Sequence, residues 1–396
     1  MLGKMSKVPA AYMRFVRVIS FLFLISTALA QNGPTIPVKC DKGQSLNSTL
    51  SRLNRKMPTT ILVQGTCTEY VLIDGFDGLT VNGLPGATLQ QPNTNPQNSR
   101  HVLWIRASRG VTVSGLAVRS LPSGFFPVIG ISGGSNKVLL QNVSADGSWG
   151  VFVYEASQVW VVNAAVNITS GFAGISAVDK SDVHIVDGLI QRPANSNFNA
   201  GLFVASGHVT MQGMTIRDMQ QSIIVATSGS VDLVNFDSAA AGVDVTIDNP
   251  SGTNLDGAIV NDGSSLNLSS ARLLINHAGQ PWGNNTGGVF VTNGSTLDAG
   301  PNLIVSNSQG EGVIVTNNSH ATLAGSSITG SLHGGLVVAN LSTIDVQSSN
   351  SLTPVGGNAP DLFCDSNSFI TGTVNLAGVP TVSCSNLLSG NTVPLP

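Results

Sequence analysis

The segment from Gly150 to Ser170, GVFVYEASQVWVVNAAVNITS, restricts the fold more than any other stretch of the chain. It holds three short runs of β-forming residues, Val151–Tyr154, Val159–Val162 and Val166–Thr169, separated by small polar links. Strand alternation places Val151, Val153, Val159, Val161, Val166 and Ile168 on one side, and no 3.6-residue period is present. The unit recurs. Anchored on the residue before the first run, copies begin at His101, Pro127, Gly150, Gly174, Gly201, Ser222, Gly257, Gly288, Gly312 and Gly335. The spacings are 26, 23, 24, 27, 21, 35, 31, 24 and 23 residues. A repeat of this length with three strands per unit predicts a solenoid. Leucine-rich repeats share the period but need a dense leucine consensus, which is absent. The first runs read GISAV, GLFVA, SIIVA, GAIVN, GVFVT, GVIVT and GLVVA, with no helical pattern between units. That argues against doubly wound and barrel folds. The expected object is an all-β, right-handed parallel β-helix of ten to eleven rungs with three parallel sheets. Each rung lies about 4.8 Å above the last.

The ends differ from the repeats. Residues 1–30 read as a secretory signal. Lys4, Lys7, Arg14 and Arg17 form its basic start, Val18–Leu29 its apolar core, and Ala28-Leu29-Ala30 a small-x-small cleavage site. Its removal takes four basic and no acidic residues, leaving 14 basic against 21 acidic, a net charge of −7. That balance argues against nucleic acid and anionic membranes as partners. No second long apolar segment predicts a membrane span, so the mature chain is expected outside the cytoplasm: secreted, periplasmic or at the cell surface. Residues 31–100 form an N-terminal cap and a degenerate first rung. Within it Ser45–Arg55 is the one credible helix, with Leu46, Leu50 and Leu53 on one face. Residues 101–353 carry the repeats and 354–396 a C-terminal cap. The four cysteines fall as one pair in each cap. In an exported chain, disulfides Cys40–Cys67 and Cys364–Cys384 are the natural reading, each stapling an end of the solenoid.

The three strands of the unit differ in character. In the second, apolar pairs such as Val159/Val161, Val183/Ile185 and Val209/Met211 alternate with mainly polar residues, which describes a sheet with one wet face. The outward positions of the first strand are read as Leu103, Ile129, Phe152, Ser176, Phe203, Ile224, Ile259, Phe290, Ile314 and Val337. An apolar stripe this long calls for a cover: a second copy of the chain, a terminal segment, a hydrophobic ligand, or the chain's own flanking side chains. The turn after the first strand carries a column of Arg106, Ser132, Glu155, Asp179, Ser206, Thr227, Asp262, Asn293, Asn317 and Asn340, residues suited to tight turns and stacked hydrogen bonds. Glu155 and Asp179, on successive rungs, are either turn residues in solvent or a carboxylate pair able to hold Ca²⁺.

The end of the third strand offers Arg119, Asp146, Thr169, Arg192, Arg217–Asp218, Asp237 and Asn276–His277. Three of the nine arginines outside the signal fall here. The longest insertions follow this strand and are expected to bring Phe198, Asp244, Asp248 and Trp282 beside the column. Arginines, carboxylates and aromatic walls suit an acidic polysaccharide, since a guanidinium pairs with a uronate and an aromatic ring stacks on a sugar. The competing reading is a surface Arg–Asp ladder that serves only solvation.

Over Val102–Thr353 the three-strand repeat resembles the secreted right-handed β-helix proteins of the pectate-lyase-like superfamily. The resemblance implies a substrate cleft along one sheet and an asparagine ladder at one turn. For a lyase it implies a Brønsted base and acidic Ca²⁺ ligands, roles that Arg192 or Arg217 with Asp146 and Asp218 would fill. Arg119, Asp237, Asn276, His277, Phe198 and Trp282 would then bind substrate. The paired Asp-Asp, G-H-G and R-I-K of the polygalacturonases are absent, apart from a partial echo at Gly207-His208-Val209. Two functions stand: an exported β-helix that binds or cleaves a uronate-type polysaccharide along the third strand, with Ca²⁺ the cofactor to test, and a non-catalytic surface or matrix protein that self-associates through its apolar stripe.

Overall fold

The computed structural model describes residues 33–92, 100–121, 126–169, 171–192, 200–236, 244–249, 256–279, 286–346, 353–356, 360–372, 374–377 and 382–384. The signal segment and the positions Phe198, Asp237 and Trp282 lie outside the described residues. The chain is 58% strand and 4% helix, wound as a parallel β-solenoid of about 11 turns.

The first strands of the units, from Val71–Asp74 to Val382–Cys384, stack as one sheet of 13 parallel strands among the described residues. The second and third strands join a sheet of 24 strands rather than two separate sheets. The reason is local. On three rungs the two strands run together without a break, as Gln158–Ile168, Asp182–Gln191 and His208–Arg217. The corner between them is reduced to one or two positive-φ residues, Asn163, Asp187–Gly188 or Gly213. Asn163 Nδ2 donates to Asn142 Oδ1 on the neighbouring rung at 2.6 Å, tying the corner together.

The six positions that alternation turns inward from Gly150 to Ser170 are all buried, at 3% exposure or less. A column of glycines begins the first strands, and it has a steric cause. A Cβ on Gly150, Gly174, Gly201, Gly257, Gly288 or Gly312 would lie 2.1–2.7 Å from the carbonyl oxygen of the equivalent residue one rung on. Valine holds this place at Val102 and Val128, both fully buried. Without a glycine to mark the register, the sequence places those two rungs one residue early. Leu103 and Ile129 are therefore core residues, and Trp104 and Gly130 take the outward positions, in register with Phe152.

The turn after the first strand shows the same correction. Glu155, Asp179, Ser206, Thr227, Asp262, Asn293, Asn317 and Asn340 all adopt left-handed backbone, with φ between 52° and 56°. In the two earlier rungs that conformation belongs to Ala107 and Gly133, not to Arg106 and Ser132. Asn340 Nδ2 donates to Asn317 Oδ1 at 3.1 Å, and Asn317 Nδ2 to Asn293 Oδ1 at 3.2 Å, so an asparagine ladder is formed. Glu155 accepts from the backbone N–H of Gly133 at 2.8 Å, a turn role. Just beyond lies a second, buried ladder of serines. The backbone N–H of Ser108, Ser135 and Ser157 each donates to the Oγ of the next rung's serine at 3.2 Å. After glycines at 207 and 229 the ladder resumes through Ser264, Ser295, Ser319, Ser342 and Ser368 at 3.1–3.3 Å.

Both disulfides expected from the placement of the cysteines are formed, Cys40–Cys67 and Cys364–Cys384. The latter two are register partners on the last two strands of the first-strand sheet. The N-terminal helix is shorter than its apolar pattern suggests, Leu46–Leu50. Ser45 caps it by accepting from the Ser48 N–H, and Glu69 accepts from Ser45 Oγ and the Leu46 N–H, both at 2.7 Å. A carboxylate at a helix start is favoured by the unsatisfied N–H groups there. Leu46 and Leu50 are buried in the end of the core, with Leu53 packed beside them.

Candidate functional site

The third-strand register builds a face two columns wide. One column, at the strand ends, runs Gln90, Arg119, Asp146, Asn167, Gln191, Arg217, Asp248, Asn276, Ser306 and Thr329. Two residues earlier lies the other: Thr88, Ala117, Ser144, Ala165, Leu189, Thr215, Thr246, Leu274, Ile304 and Ser327. Alternation sends both columns outward. The result is a polar rail beside a shelf of aliphatic and small hydroxyl side chains, ten rungs long and about 43 Å from end to end.

The rail is internally bonded. Arg119 Nε meets Asp146 Oδ2 at 3.3 Å. Asp146 also accepts from Asn167 Nδ2, and Asn167 accepts from Gln191 Nε2 at 2.8 Å. Arg217 pairs with Asp248 at 3.8 Å. Asn276 accepts from Ser306 Oγ at 3.2 Å and Asn307 Nδ2 at 3.1 Å. Both arginines are about half exposed, with side-chain exposures of 54% and 48%. They present free N–H groups to anything that lies along the rail.

Of the residues singled out from the sequence, Arg119, Asp146, Arg217 and Asn276 stand on the rail. Thr169 and Arg192 do not: Asn167 and Gln191 occupy their rungs. Arg192 is 5% exposed. Burial pulls its guanidinium below its ordinary pKa, and the nearby Asp218 carboxylate opposes the shift. Asp218 and His277 are left-handed residues in the corner just past the rail, with φ of 54° and 58°. His277 Nδ1 is buried there without a hydrogen-bond partner among the described residues. Asp244 lies at the opposite end of its strand, bound to Arg272 at 2.5 and 3.0 Å. Asp248 is on the rail, where sequence reading had placed it only beside the column. Phe198, Asp237 and Trp282 are outside the described residues.

Two carboxylates escaped sequence reading. Asp256 and Glu311 hold the position before the glycine that opens the first strand, two rungs apart with Gly287 between them. The N–H of Gly287 donates to Asp256 Oδ1 at 3.1 Å. Burial pushes the Asp256 carboxyl up to about 7, and the negative charge of Glu311 adds to the rise. Burial raises Glu311 as well. The available signal was positional. An acid immediately before a buried glycine stands where other rungs carry Trp149, Ala173, Ala200 or Gln221. Among the described residues, three metal-type ligand atoms converge at Cys40, Cys67 and Glu69, and there both sulfurs are in a disulfide. No helix of the described residues is long and apolar enough to cross a membrane.

No protein-family profile matches the chain, and no curated protein matches it. Solved structures do. The Dettilon tailspike protein is 12% identical with a TM-score of 0.44, over 83% of this chain and 62% of the tailspike's own length. A pectin methylesterase in complex with a hexasaccharide is 10% identical with a TM-score of 0.36, over 68% of this chain and 79% of that one. The pectate lyase Pel9A is 13% identical with a TM-score of 0.37, over 93% and 83%. Likeness at this level concerns the path of the backbone and nothing finer. By its own registers the chain is a parallel β-helix of about 11 turns, the fold class that its repeat resembles.

Proposed function

We propose that the third-strand face binds a linear polysaccharide, with uronate-bearing chains favoured, and that the protein works outside the cytoplasm. The carrying observation is the two-column face. A straight shelf of aliphatic and small hydroxyl side chains can take the C–H faces of sugar rings, and the adjoining rail offers hydrogen-bond donors and acceptors at every rung. Arg119 and Arg217 stand four rungs apart, about 19 Å, and each keeps guanidinium N–H groups for a carboxylate of the ligand. Two disulfides suit an oxidising compartment.

The test is a binding and turnover screen of the purified chain against polygalacturonate, alginate and a neutral glucan, each with Ca²⁺ and with chelator. The reading expects retention on an acidic glycan. The double substitution Arg119→Ala, Arg217→Ala should weaken it at least tenfold, since each charge-assisted pair contributes about 1.5–3 kcal/mol. Product absorbing in the ultraviolet would add a lyase activity. Arg192 is the wrong residue for this test, because its truncation would act through packing. Silence on every glycan would remove the proposal.

A further inference from the structure

We infer that the outer face of the first-strand sheet is a self-association surface, on which a second copy of this chain packs face to face. The outward ladder runs in unbroken register from Leu72 to Ser383 through 13 strands. Ten of its positions are apolar, the other three are Gly130, Ser176 and Ser383, and none is charged.

Part of this face is covered by the chain itself. Around Gly130 and Ser176 the rings of His101, Trp104, Phe152, Tyr154, Phe172 and Phe203 pack as one layer, with contacts such as Phe172–Phe203 at 4.7 Å and Phe152–Tyr154 at 5.1 Å. A Cβ on Gly130 would fall 2.6 Å from the His101 ring, so that ring occupies the space above the glycine. Beyond Phe203 the ladder continues as Ile224, Ile259, Phe290, Ile314, Val337 and Phe363 with no comparable ring layer among the described residues; Ile314 is buried, at 2% exposure, Phe363 is 38% exposed and the other four are half-buried. The surroundings point the same way. Six large hydrophobic residues stand out as exposed among the described residues, and five of them, Leu72, Phe126, Leu332, Leu341 and Phe363, lie on this sheet or on the turns bordering it. Met57 is the sixth.

The size and chemistry select the occupant. Twelve rung spacings by one strand length give a face of roughly 58 by 13 Å, about 750 Å². That is close to the 800 Å² or so per partner of a stable protein interface, and well above the area of a small ligand. A glycan needs polar partners around each ring, and here the Trp104 Nε1–H is already spent on Ser132 Oγ at 3.0 Å. An uncharged apolar ladder is complementary to its own copy related by a two-fold axis, with the sheets about 10 Å apart; the outward charges on these strands, Asp74 and Arg106, sit at the N-terminal end of the sheet and pair with each other at 2.8 Å.

Sedimentation velocity and light scattering on the purified chain at micromolar concentration should report twice the chain mass. Ile259→Lys with Phe290→Lys should raise the dissociation constant at least a hundredfold, with unchanged circular dichroism and melting. Thr210→Lys and Thr322→Lys, on the second-strand face, should leave the dimer intact. If the lysines prevent folding, Phe290→Ser alone should still weaken association at least tenfold. A monomeric wild-type chain would overturn the inference. So would a dimer that persists with either folded variant on this face.

Discussion

Asp256 shows how a single position can set the response of the molecule to pH. Its carboxyl is raised to about 7 by burial, with Glu311 adding to the rise, so the folded chain holds a proton that the unfolded chain releases near pH 4. Between about pH 4 and pH 7 the folded state therefore binds more protons, and stability from this group falls as pH rises, then levels off. Asp256→Asn should remove the Asp256 share of that fall and leave the variant more stable than wild type at pH 8, by on the order of a few kcal/mol. Melting curves from pH 4 to 8 check this, and parallel curves for the two proteins would refute it. Ser319 makes the complementary point. Its Oγ accepts the buried N–H of Ser295 at 3.2 Å, so Ser319→Ala leaves that donor unpaired. The cost should be roughly 1–3 kcal/mol in chemical denaturation. The asparagine ladder was legible from the repeated turn position. The serine ladder was equally regular in sequence, but serine is common at any surface turn, and only its burial distinguishes it.

At the scale of the strand, the glycine column carries the most information. Gly288→Val would set a Cβ 2.4 Å from Val305 Cγ1 and 2.6 Å from the Gly312 carbonyl oxygen. Overpacking of this kind typically costs about 1–3 kcal/mol. Because each rung touches only its neighbours, the loss should be local. Hydrogen exchange should speed up in the strands Asp256–Val260, Gly287–Val291 and Glu311–Val315 and hardly change at Val71–Asp74. Uniform acceleration along the solenoid would contradict this. The same column explains where the strand reading succeeded. From Gly150 to Gly335 the outward ladder is correct, because a glycine fixes the phase of alternation on every rung but one, where Ser222 holds the place. At Val102 and Val128 the phase slipped by one, and a one-residue slip exchanges every inward and outward residue.

Across the whole molecule, the three faces of the solenoid have different chemistry: a polar rail beside a shelf of aliphatic and small hydroxyl side chains, a largely polar second-strand face, and a first-strand face centred on an apolar ladder. The two proposals concern different faces of the solenoid, so they stand or fall separately. The period, the alternation and the cysteine placement were enough to specify a parallel solenoid stapled at both ends, because side-chain direction in a strand follows from residue number alone. The site was less legible. The register puts Arg119, Asp146, Arg217 and Asn276 on the rail that counting along the sequence expects, but it also puts Asn167, Gln191 and Asp248 there and leaves Arg192 off it. Thr169 and Arg192 lie two residues and one residue past the rail positions of their rungs, and nothing in the composition of those strand ends marks where the register stops. Asp256 and Glu311 are out of reach for a related reason. A carboxyl's proton affinity depends on what surrounds it, and those neighbours arrive from other rungs only when the chain is wound.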